Sequence, residues 1–173
     1  METGFAHTYG AALLYAHAPQ LSKADLLTRL RAHCGHVEPL GGDARADLLA
    51  FVHVDDLTTY KGDKRIPAQC LITPVGIPLR PQALASALGQ TWDWPEARTA
   101  VAGHSVSVAV TDFLAEGLEY HRRLALFRGV VRSVLDLAPC LAMHWDRSDR
   151  IVDPAAYLKA FQDRQSGRAP SDR

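Results

Sequence analysis

From Ser105 to Thr111 the chain reads Ser-Val-Ser-Val-Ala-Val-Thr, with Val106, Val108 and Val110 on one side and small or polar residues on the other. A period of two over seven residues presents one apolar face of an extended strand to a core. Leu124, Phe127, Val131, Val134 and Leu135 follow at helical spacing, predicting an amphipathic helix over about 118–138 that stops at Pro139. A strand with one dry face and a long helix with one dry stripe are complementary. Together they call for a sheet covered by helices.

The remaining segments supply the other pieces. Tyr9 to His17 predicts a strand that ends before Pro19. Ser22 and Asp25 form a capping-box-like start to a helix whose apolar face is Leu26, Leu27 and Leu30 and whose stop is Gly35. Leu48–Val54 and Ile66–Val75 predict two strands of an antiparallel hairpin across the turn at Lys61–Arg65. Pro81 opens a further helix, with Leu84, Leu88 and Trp92 at four-residue spacing on its core face. Cys140–Trp145 predicts a last strand, and Asp153-Pro154 the cap and first residue of a short helix holding Tyr157 and Phe161. The order is β-α-β-β-α-β and then α-β-α. The expected fold is therefore α+β: a ferredoxin-like split βαβ unit extended by the long helix, a further strand and a short C-terminal helix. One domain over residues 1–163 is expected, with 164–173 a disordered tail that has almost nothing apolar to bury.

Charge narrows the partners. The 173 residues hold 19 basic and 19 acidic side chains, so the chain lacks the general attraction on which nucleic-acid and membrane-surface binders rely. The start of the chain has no basic segment leading into an apolar run, and no run is long enough to span a membrane. Three separated cysteines, Cys34, Cys70 and Cys140, sit in or beside apolar segments, as reduced thiols do. The expected setting is cytoplasmic, without nucleic acid, membrane or cofactor.

Motifs of chemistry are sparse. The glycines form neither a dinucleotide fingerprint nor a P-loop, and no nucleophile elbow is present. His33-Cys34-Gly35-His36 packs three metal-ligand types into four residues, yet no second pair at zinc spacing accompanies it, and histidine also suits a helix C-terminus. No metal is expected. His144, Asp146 and Asp149, joined by His104 and Asp112 from a neighbouring strand, could make an imidazole–carboxylate site, although Asp-Arg-Ser-Asp-Arg is also ordinary turn chemistry. Trp92-Asp-Trp-Pro95 reads either as core, with Trp94 covering a loop, or as an aromatic anchor for a partner. The segment Glu38–Asp63 holds six acids against two bases and could present an acidic face to a basic protein.

The succession Pro74–Pro78, Trp92-Asp-Trp-Pro95, Gly103-His104 before Val106–Asp112, Tyr120-His121, and Leu141–Trp145 before Val152-Asp-Pro154 resembles an uncharacterised bacterial domain family over about residues 66–158. The resemblance implies no catalytic residues. Some members look associated with type VI secretion or polymorphic-toxin loci, which implies an immunity or accessory role. The first functional expectation is thus a protein-binding module, an immunity protein that occludes the active site of a cognate toxin through Asp55, Asp56, Asp63, Trp92 and Trp94. The second is a small cofactor-independent hydrolase or isomerase using His104, Asp112, His144, Asp146 and Asp149. The third is a homodimeric scaffold.

Overall fold

The computed structural model describes residues 8–41 and 48–165. In chain order its elements are β1 (Gly10–Tyr15), α1 (Lys23–Cys34), β2 (Val37–Pro39), β3 (Leu49–Tyr60), β4 (Lys64–Val75), α2 (Pro81–Gly89), α3 (Ala97–Ala102), β5 (Val106–Phe113), α4 (Tyr120–Leu137), β6 (Ala142–Trp145), β7 (Arg150–Val152) and α5 (Pro154–Gln165). All seven strands join one antiparallel sheet in the order β2-β3-β4-β5-β1-β6-β7. The α+β class is as expected. The strand order departs from the ferredoxin-like arrangement, in which β1 would lie between β4 and β5. Here β4 pairs with β5 directly, Val75 opposite Ser107, and β1 lies beyond β5.

The physical reason lies in strand direction. Antiparallel neighbours need no crossover, so residues 76–105 are free to leave the β4–β5 junction and cover another part of the sheet. A split βαβ does occur, but with other strands. β5 and β6 are both antiparallel to β1 and flank it, so they run parallel to each other, and α4 joins them.

Two apolar layers result. The alternating Val108 and Val110 of β5 lie on one face of the sheet with Leu13, Phe51, Ile72 and Met143, under Leu26 and Leu30 of α1 and Phe127, Val131, Val134 and Leu135 of α4. On the opposite face, Leu14, Ala142 and Ile151 meet Leu84 and Ala87 of α2 and Ala97 and Val101 of α3. Leu13 and Leu14 are adjacent in sequence, point to opposite faces and are each 0% exposed. β1 is therefore covered on both sides, which is why its sequence is apolar throughout and does not alternate.

Helix ends follow local chemistry. Ser22 Oγ accepts the Asp25 N–H at 3.0 Å, as the sequence predicts, and Gly35 takes a left-handed φ of 90° at the C-cap. α5 runs to Gln165, so residues 164 and 165 are helical; the rest of the expected tail lies outside the described residues. Among the described residues no helix is long and apolar enough to cross a membrane.

Candidate functional site

The imidazole–carboxylate set does not come together. His104 and Asp112 stand at opposite ends of β5, about 25 Å apart at the usual rise per strand residue. His104 Nε2 accepts the Leu79 N–H at 3.1 Å while Nδ1 faces the Val101 carbonyl, so both ring nitrogens are occupied pinning the α2–α3 segment. Asp112 faces α4. Its Oδ1 accepts the Tyr9 N–H at 2.5 Å, and its two oxygens take a bidentate guanidinium from Arg123 at 2.6 and 3.1 Å.

His144, Asp146 and Asp149 do meet, in the β6–β7 hairpin. His144 Nε2 lies 2.9 Å from Asp149 Oδ1, and Nδ1 lies 3.5 Å from Asp146 Oδ1. Hydrogen bonds from Ser86 and then His144 hold the Asp149 carboxyl below the usual carboxylate range. The carboxylate thus sits between the hydroxyl and the imidazole. Nucleophile activation needs the imidazole next to the hydroxyl with the carboxylate behind it, and that order is absent at this cluster. Asp149 also occupies a left-handed turn position, φ 45°. The arrangement is a pinned hairpin turn. Asp146 lies over Gly10, where a Cβ would meet the end of the exposed Asp146 side chain and turn it aside.

The structure assembles a different polar cluster at the start of α4. Glu119 caps the helix by accepting the His121 and Arg122 N–H groups, each at 2.9 Å, and these bonds lower its pKa. Two arginines follow in the first turn, where the helix dipole disfavours cations, and each is matched by a carboxylate. Arg122 forks onto Asp56 at 2.6 and 2.8 Å, and Arg123 forks onto Asp112. A register shift in β3 between His53 and Leu57 turns Asp56 towards α4, so that it is buried on the same side as His53. His53 is 2% exposed, its Nδ1 has no hydrogen-bond partner among the described residues, and burial pushes its pKa down to about 4. It lies against Cys70, Asp112, Arg123 and Phe127 around a void of about 10 Å³, which is on the order of one water and too small for a substrate. The adjacent pair Arg122-Arg123 at a helix start is the sequence signal that points to this cluster.

The partner-binding set divides between two edges of the sheet. Asp55 is exposed and lies 3.5 Å from His36. Asp56 is 9% exposed and held by Arg122, which withdraws it from any outer acidic face. Asp63 stands in the hairpin turn among Lys61, Lys64 and Arg65, and Glu38 pairs with Arg31 at 3.0 Å. Asp43 and Asp47 lie outside the described residues. The local excess of acid in the sequence is thus offset in space by Arg31 and Arg122.

Trp92 does not continue the core face of α2. The helix ends at Gly89, and it is Thr91 that turns inward, its hydroxyl donating to the Ala87 carbonyl at 2.7 Å and accepting the Ile151 N–H at 3.3 Å. Trp92 consequently points out, 85% exposed, while Trp94 is half-buried against the α2–α3 core. The tryptophans sit by β7 and Asp55 in β3, five strand spacings or about 24 Å away.

The metal-like string is dispersed. His33 Nε2 lies 2.7 Å from Asp136, Cys34 is buried, and His36 contacts Glu38 and Asp55. Burial pushes the Cys34 and Cys140 thiols up to about 12 and the Cys70 thiol higher still. Among the described residues no group of three or more His, Cys, Asp or Glu side chains is arranged to hold a metal ion.

Comparison with protein-family models, curated proteins and solved structures returns no match.

Proposed function

We propose that the chain is a protein-binding module whose anchor is the Trp92 edge, and that in its specific form it is an immunity protein occluding the active site of a cognate toxin. One observation carries the reading: a tryptophan 85% exposed on a rigid mount. Below it, Thr91 bridges α2 to β7, and Arg150 Nη2 donates to both oxygens of Asp93 at 3.2 and 3.0 Å. Leaving an indole in water forgoes the stabilisation of burying it, and tryptophan is enriched where partners bind. Such an anchor, already fixed in place, loses little conformational freedom on docking. The expected interface is of standard size, about 800 Å² per partner.

Co-expression with the toxin encoded beside this gene tests the reading. The native chain restores growth, and Trp92→Ala abolishes the rescue while the melting temperature stays within about 2 °C of native. Equal killing with and without the chain overturns it.

A further inference from the structure

β3 is written like β1 but housed differently. From Leu48 to Val54 it is apolar at every position except His53 and does not alternate, the pattern of a strand covered on both faces. Leu49 and Phe51 lie in the layer under α1 and α4. Val52 points the other way, in a row with Gln69 and Phe113, and Ala50 is in a row with Leu71 and Thr111. On that face α2 and α3 pack chiefly against β7 and β6, and among the described residues no side chain of β3 or β4 pointing that way joins either apolar layer. Phe113 is left 44% exposed and Leu57 39%, with Val52, Val54, Leu71 and Ala109 half-buried between water and the sheet. Contiguous apolar surface of this kind marks a place where something docks.

We infer that the bare face of β3, β4 and β5 is the interface of a symmetric homodimer, packed sheet against sheet. Charge favours a second copy as the cover. Between Ala50 and Val54, Gln69 and Val75, and Ser107 and Phe113 the face carries no charged residue, in a chain that is 22% charged. It offers nothing to a charged partner, and no like charges meet when it is laid against itself. Shape agrees. α2 and α3 stand on the β6–β7 side of the same face as a layer about 10 Å deep, which matches the roughly 10 Å between sheets stacked face to face. A second sheet laid on β3–β5 therefore sits level with the helices. Under a two-fold axis along the strands, the helix layer of each copy abuts the β2 edge of the other. Three strands of about seven residues give about 350 Å² of flat contact. The two steps bring each copy to the roughly 600 Å² at which stable interfaces begin.

Sedimentation of the full chain tests this without any toxin. At about 10 µM the native chain sediments as a dimer, at twice its 18.9 kDa. Phe113→Lys sets a cation on the bare face from an exposed position and weakens the dimer at least about a hundredfold, leaving monomer. Leu57→Lys, at a second exposed position opposite Pro67, does the same and keeps the test open should Phe113→Lys fail to fold. Trp92→Ala stays dimeric, because Trp92 sits beyond the helix layer by β7. Amide hydrogen exchange at residues 50–54 and 69–73 is slower in the native dimer than in the monomeric variant. A native chain that is monomeric at about 100 µM, a dimer that survives both lysine substitutions, or a dimer lost with Trp92→Ala each overturns the assignment.

Discussion

Arg122 and Arg123 are neighbours in the first turn of α4, and each forks onto one carboxylate. The surroundings differ. Arg122 is 49% exposed and its partner Asp56 9%, whereas Arg123 and Asp112 are 3% and 7% exposed. The outer pair fastens the distal part of the β3–β4 hairpin to the helix. The inner pair ties three elements together, because Asp112 of β5 also holds the Tyr9 N–H ahead of β1, and the Arg123 guanidinium lies 4.1 Å from the centre of the Tyr9 ring. The same chemistry, displaced by one residue, is a surface clasp in one case and an internal strut in the other. Burial decides which, because removing one member of a dry pair leaves the other charge without water.

The largest effect should therefore come from the inner pair. Arg123→Ala leaves the Asp112 carboxylate buried without its guanidinium, and about 3–5 kcal/mol of stability is lost in urea denaturation. Asp112→Asn, which keeps shape but not charge, is also strongly destabilising. Substitution of both by apolar residues recovers much of the loss, which separates an uncompensated charge from a packing defect. A loss below about 1 kcal/mol in Arg123→Ala would show that the two arginines are equivalent after all.

His53 sharpens the contrast by pH. It lies in the same dry layer, and its pKa is pushed down from 6.5 to about 4. The unfolded chain therefore takes up a proton first as pH falls. His53 costs the fold nothing above about pH 6.5, erodes stability progressively between 6.5 and 4, and adds no further loss below 4. The full effect is about 3 kcal/mol at 1.36 kcal/mol per unit. Comparing native chain and His53→Gln by denaturation across pH 7 to 4 isolates it, since the variant lacks this segment of the pH dependence. Arg122→Ala comes next, at about 1 kcal/mol, and its cost shrinks in high salt because solvent and ions reach the outer pair.

Much of the fold is legible in the sequence because period and punctuation are local. The Val106–Val110 alternation, the stripe from Phe127 to Leu135, the Ser22 cap and the stop at Pro139 each act over a few residues and sit where the sequence puts them, whereas Leu124 stands half-buried outside the core and Leu126 takes its place on the buried face. What was missed is short or long-range. Val37–Pro39 and Arg150–Val152 are three-residue strands defined by their neighbours, and Ala97–Ala102 is under two turns. Strand order is not a local property either, since nothing in Ile66–Val75 says whether β5 or β1 lies alongside. The site residues divide on the same principle. Asp112 and Asp56 look like exposed strand-end carboxylates until α4 brings Arg122 and Arg123 over them, and the β3 register shift that turns Asp56 inward leaves no motif. His144, Asp146 and Asp149 lie within six residues of one another, and their turn chemistry is legible in the sequence.

The smallest expected change in stability belongs to the residue expected to matter most for binding. Trp92 leaves only 15% of its surface to be lost on folding, against 0% exposure for Leu84 and Ala87 beneath it. As at other exposed positions, its truncation to Ala should change unfolding free energy by no more than about 0.5 kcal/mol. Trp94→Ala is the internal control, because Trp94 is half-buried against the α2–α3 core and should cost more. Thr91→Val is the sharper probe. It removes the hydroxyl that joins Ala87 to Ile151 while keeping the shape, so it loosens the mount without touching the indole. If the rigid mount matters to recognition, Thr91→Val weakens partner binding chiefly through faster dissociation, whereas Trp92→Ala removes it. Binding that survives both substitutions would move the interface away from this edge altogether.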